Sequence, residues 1–139
     1  MTLWQCVWYT VPMKLPIKPR MLCWILSVCA LTAGVGIYVL ASAYEGGTVF
    51  LLVRNFGADF LWTLSLEFAL APFVKEIFPR KYPTVLAAVC MCVGCLFEYL
   101  QAKGICKGTG DFWDCAVYLT ASVLGCSIIK KLYAEREKK

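Results

Sequence analysis

The chain has 139 residues, of which 60% are apolar and 17% charged, with 14 lysines and arginines against nine acids. A soluble domain this small has too much surface to hide so large an apolar fraction. The same balance excludes a disordered chain and a secreted disulfide miniprotein. No histidine occurs, which removes the commonest general base and metal ligand and leaves any chemistry to carboxylates and cysteine.

The first 20 residues read as a cytoplasmic or interfacial segment. Trp4, Trp8 and Tyr9 suit a headgroup region, and prolines at 12, 16 and 19 prevent a continuous helix into the first span. No cleavable leader is expected before Met21. Crossing a bilayer takes about 20 mostly apolar residues. Met21 to Ala43 supplies 23 residues without a charge, the clearest span. Gly46 to Val53 is apolar and too short to cross, so it reads as an interfacial, re-entrant or extended outer segment.

Three more spans are expected at 56–74, 82–101 and 111–129. The second carries Asp59 and Glu67, the third Glu98, and the fourth opens on Asp111 and Asp114. Span three is charge-free only from Tyr82 to Phe97, and span four only from Cys115 to Ile129. Each reaches spanning length only if its acids sit at a helix end or inside the bundle. Residues 130–139 form a basic tail. The expected fold is an all-α membrane protein, a four-transmembrane-helix bundle over residues 21–129.

Basic residues set the orientation. Lys14, Lys18 and Arg20 precede span one, Lys75, Arg80 and Lys81 join spans two and three, and Lys130, Lys131, Arg136, Lys138 and Lys139 come after span four. Eleven of the 14 therefore share one side, opposite Arg54, Lys103 and Lys107. Positive-inside bias predicts a multi-pass membrane protein with both termini and the loop between spans two and three cytoplasmic. It also accounts for the net charge of +5 without nucleic acid as a partner; anionic headgroups are the partner expected for the tail.

The acids concentrate at the outer end. Glu98 and Gln101 are three apart on one helix face, and so are Asp111 and Asp114. The short loop between the two pairs carries three glycines, Lys103 and Lys107. With Asp59 these residues form a candidate polar pocket, with Arg54, Lys103 and Lys107 as counter-charges. Capping of helix N-termini by carboxylates is the plainer explanation for Asp111 and Asp114. Asp59, Thr63 and Glu67 lie along one face of span two, with Glu67 near mid-membrane. Such a carboxyl needs a hydrogen-bond partner if it faces the bundle, and a proton path is the alternative use of it.

Small residues predict close packing: Ser27, Ala30 and Gly34 in span one, Ala87, Met91 and Gly94 leading to Glu98, and Ala121 and Gly125 below Asp114 and Tyr118. The nine cysteines read as apolar packing residues, because the lone C-x-x-C at Cys92 and Cys95 lacks a second pair and any histidine. Cys106 and Cys115 are a candidate outer pair. No metal or other cofactor is expected. With no nucleophile beside a base, catalysis is not the expected role.

The C-terminal half, residues 84–129, resembles the VanZ-like family of small bacterial membrane proteins. The matching residues are Glu98-Tyr99-Leu100-Gln101, then Gly108-Thr109-Gly110-Asp111-Phe112-Trp113-Asp114, then Ala121 and Gly125. Thr109 and Tyr118 depart from the arginine and asparagine usual in that pattern. The segment Arg54-Asn55-Phe56-Gly57-Ala58-Asp59-Phe60-Leu61-Trp62 also resembles a motif of uncharacterised bacterial relatives. The resemblance implies a multi-pass protein of the bacterial inner (plasma) membrane and cell envelope, linked to resistance against glycopeptides of the teicoplanin type. Its expected partners are the bilayer and, at the acidic pocket, a lipid headgroup, a cell-wall precursor or a cationic compound. Alternatives are a small ion- or proton-coupled transporter, and an accessory subunit in a homo-oligomer or larger membrane complex.

Overall fold

A computed structural model describes residues 18–43, 47–106 and 112–137. Among these the regular secondary structure is all helical: α1 spans Pro19–Ala43, α2 Thr48–Leu52, α3 Ala58–Ile77, α4 Tyr82–Ala102 and α5 Phe112–Glu137. A π-helical turn, Val53–Gly57, joins α2 to α3. Four helices are long and apolar enough to cross a membrane. The predicted all-helical bundle is therefore present. Two boundaries differ from expectation: α5 continues to Glu137, into the residues read as a basic tail, and the segment before Arg54 is not an extended loop. It is helical from Thr48, and Phe50–Ile77 forms one 28-residue stretch long and apolar enough to cross a membrane. The expected interfacial role of Trp4, Trp8 and Tyr9 falls outside the described residues.

Local chemistry sets the ends. Pro19 opens α1, where its missing N–H costs nothing, and Pro83 stands at the second position of α4. Pro79 ends α3, because the residue before a proline is driven out of helical geometry; Phe78 has φ −126° and ψ 67°. At the other end of α4, Gly104 takes φ +69°. Its N–H bonds Gln101 O at 2.8 Å, and the Ile105 N–H bonds Leu100 O at 3.0 Å. That left-handed stop turns the chain toward α5.

The packing is organised around α3. In its apolar stretch 44% of residues are buried, against 17% for α1 and α4 and 28% for α5. Lipid tails are as apolar as leucine, so close backbone approach and polar contacts must hold the helices together. Both are visible where α1 meets α3. Ala30 and Gly34 are buried, a Cβ on Gly34 would stand 3.1 Å from the Trp62 ring, and Ser27 Oγ donates to Ser65 O at 2.8 Å. Trp24 meets Phe73, and Arg20 pairs with Glu76 at the end of the seam. On the other side α4 and α5 pack on α3 and on each other. Phe68, Ala71, Tyr82, Leu86, Ala121 and Ile129 form much of that core. The Lys75 ammonium sits 4.3 Å from the centre of the Tyr133 ring and 5.1 Å from that of Tyr82, closing the basic end.

Candidate functional site

Three helices bring acids to the end of the bundle away from Lys75. Asp59 lies in the first turn of α3, Glu98 one turn before the end of α4, and Asp114 in the first turn of α5. Each contributes to one electrostatic field: Asp59 feels both Asp114 and Glu98. Glu98 is buried, and Tyr118 Oη donates to its Oε1 at 2.7 Å. This bond ties α4 to α5 directly beneath the acids. Gly94 makes it possible, because a Cβ there would come within 2.5 Å of the Tyr118 ring.

The other expected site residues are more scattered. Gln101 is half-buried one turn beyond Glu98. Asp111 and Lys107 lie outside the described residues. Arg54 sits in the π turn, and its Nε donates to Asn55 Oδ1 at 3.1 Å. The Lys103 ammonium lies 5.7 Å from the centre of the Tyr99 ring. Both cations are therefore engaged by neighbours on their own segments, and neither makes an ion pair with Asp59, Glu98 or Asp114. Cys106 and Cys115 are free thiols, not a disulfide. Cys115 Sγ lies instead 3.8 Å from Cys95 Sγ, across the α4–α5 contact.

Below the acids a column of polar groups continues inward. On α3, Asp59, Thr63 and Glu67 succeed one another at one per turn, and Thr63 Oγ1 donates to Asp59 O at 2.8 Å. On α5, Asp114, Tyr118, Ser122 and Cys126 do the same. Helical rise separates Asp59 from Glu67 by roughly 12 Å. Glu67 is completely buried and faces the bundle rather than lipid. Cys126 Sγ donates to its Oε1 at 2.8 Å and also reaches Pro83 O at 3.1 Å. Glu67 Oε2 and Ser122 Oγ are buried without a hydrogen-bond partner among the described residues. Oε2 lies against Gly125, at a place that a β-carbon would occupy.

Tyr118 and Cys126 are the polar partners that sequence reasoning missed. Their signal was the i, i+4 series from Asp114, which carries a donor on every turn through Cys126. No group of three or more metal-ligating side chains occurs among the described residues.

Outside this interior column, α1 and α5 both lean on α3 while barely meeting each other. Between them lies an open groove of about 1050 Å³. Its floor is Phe56, Gly57, Phe60 and Leu61, and its walls include Ile37 of α1 and Trp113, Ala116 and Thr120 of α5.

These features define a class: a multi-pass integral membrane helical bundle with a polar interior at one end. No family model, curated protein or solved structure matches the chain.

Proposed function

We propose that the protein is a VanZ-like component of the bacterial envelope membrane, with both termini cytoplasmic. In this reading Asp59, Glu98 and Asp114 form an extracytoplasmic site for a positively charged group. A lipid headgroup, a cell-wall precursor or a cationic compound could carry that group. The observation that supports the reading best is the convergence of three carboxylates from three helices, with Glu98 held in place by Tyr118. Carboxylates this close repel one another and favour a cation between them. Gln101 and Asp111 belong to the proposed site as flanking polar groups. Resistance to teicoplanin-type glycopeptides is the role that the residues shared with the family imply.

The test is a set of charge-removing variants in cells that depend on the protein for glycopeptide tolerance. Asp114→Asn and Glu98→Gln keep size and most hydrogen bonding. Each is expected to abolish tolerance at unchanged membrane abundance, measured by quantitative immunoblot. Full tolerance in both variants, or a loss explained entirely by lower abundance, would overturn the site. A second reading, proton-coupled transport, rests on the fully buried Glu67 at the foot of the polar column. It would replace the first if Glu67→Gln were inactive while Asp114→Asn remained active.

A further inference from the structure

We propose that the groove between α1 and α5 is a phospholipid site, with an acyl chain lying over α3 and an anionic headgroup phosphate against Arg54. The site is separate from the acidic cluster and independent of what that cluster binds.

The groove is almost wholly apolar. Apart from Gly57, Thr120 is the lining residue without an apolar side chain, and its hydroxyl is already spent on Ala116 O at 2.8 Å. Polar atoms are sparse in the lining, so a hydrocarbon chain fits it better than a headgroup or a sugar.

Its shape comes from specific residues. Gly57, Ala116 and Thr120 are small, so the channel is deep where a bulkier side chain would fill it. The π turn supplies Val53, Phe56 and Gly57 to the lining. Irregular turns of this kind often mark functional positions within helices.

None of the lining residues is charged, and a cation adjoins the lining in sequence. Arg54 comes directly after the lining residue Val53 and is half-buried. Its Nε is bonded to Asn55, while its terminal nitrogens have no hydrogen-bond or ion-pair partner among the described residues. A guanidinium offers a planar fork matched to phosphate oxygens. Trp113 stands on the opposite wall near the start of α5, and tryptophan favours the headgroup level of a bilayer. A cation and an interfacial aromatic beside an oily channel describe a phospholipid better than a second protein helix.

The experiment uses the full chain in nanodiscs that contain phosphatidylglycerol and phosphatidylcholine in equal amounts. Retained lipid is counted by native mass spectrometry after release from the disc. The parent should keep one phospholipid per chain, enriched in phosphatidylglycerol. Arg54→Gln should lower that preference about fivefold, the order expected for one basic side chain beside an anionic headgroup. Ala116→Phe, at an exposed position that leaves the core intact, should abolish retention. Val123→Phe, exposed on α5 but not part of the groove, should retain lipid as the parent does. Equal retention by Ala116→Phe and the parent would overturn the proposal. So would an unchanged phosphatidylglycerol preference in Arg54→Gln. If Ala116→Phe split a dimer without releasing lipid, the groove would be a seat for a second copy, and the lipid reading would fall.

Discussion

Gly125 and Glu67 show how far a single atom decides packing in this bundle. A methyl group at Gly125 would meet Glu67 Oε2, stand 2.8 Å from its carboxyl carbon and lie 3.1 Å from Leu64 Cδ2. Glu67 has nowhere to retreat, because its other oxygen is held by Cys126 and the residue is fully buried. Gly125→Ala is therefore expected to destabilise the fold by about 1–3 kcal/mol, the usual cost of overpacking. The measurement is the thermal midpoint of the detergent-solubilised protein. Shortening Glu67 to alanine in the same chain should restore part of the loss. A Gly125→Ala protein as stable as the parent would show that Oε2 does not occupy this place. The residue scale was only partly legible in the sequence. Placing a carboxylate mid-span requires an inward orientation, so the burial of Glu67 is explained by the cost of exposing it to lipid. Its donor could not be read in the same way, because a cysteine packs as well as a small apolar residue as it donates.

At the scale of elements, proline and glycine punctuation was the most readable signal. Pro79 and Pro83 bracket the α3–α4 turn, and Gly104 ends α4. Gly104 allows a separate test of backbone freedom, because a Cβ there would touch nothing within 4 Å. Any cost of Gly104→Ala must then come from its φ of +69°. That cost is expected to be about 1–2 kcal/mol, and smaller for Gly104→Asn, since asparagine tolerates the left-handed region. Thermal unfolding of the two variants side by side checks the ranking; equal stability of Gly104→Ala and the parent would exclude the left-handed stop. Punctuation also misled at one place. Arg54, Asn55 and Gly57 look like loop chemistry after a short apolar run. The helix nevertheless passes through, because a π turn absorbs the irregularity and the apolar residues on either side gain burial or lipid contact. Periodicity cannot register a widened turn, so the stretch Phe50–Ile77 was not legible in advance.

Across the whole molecule, charge placement was legible and the groove was not. The described basic residues Lys18, Arg20, Lys75, Arg80, Lys81, Lys130 and Lys131 collect at one end of the bundle, around the Arg20–Glu76 pair and the Lys75–Tyr133 contact. A bilayer with anionic lipid on its cytoplasmic face favours that end inside. A green fluorescent protein fused after Lys139 should fluoresce, and alkaline phosphatase at the same point should be inactive. The opposite pattern would invert the proposed orientation and put the acidic cluster in the cytoplasm. The convergence of Asp59, Glu98 and Asp114 was legible from their shared level in three spans. The space between α1 and α5 depends on how far each leans around α3, which no local pattern encodes.

The α1–α3 seam has a mechanical consequence. The two helices run antiparallel, and their contacts form a single file: Arg20 with Glu76, Trp24 with Phe73, Ser27 with Ser65, then Gly34 with Trp62. A force drawing the α1 N-terminus away from α3 loads these contacts one after another, as a zipper does, and never all at once. The α3–α4–α5 cluster is different, since each of its helices is gripped by two others and would resist as a unit. Under tension, α1 should part first and in small steps, while the polar interior between the remaining three helices stays closed.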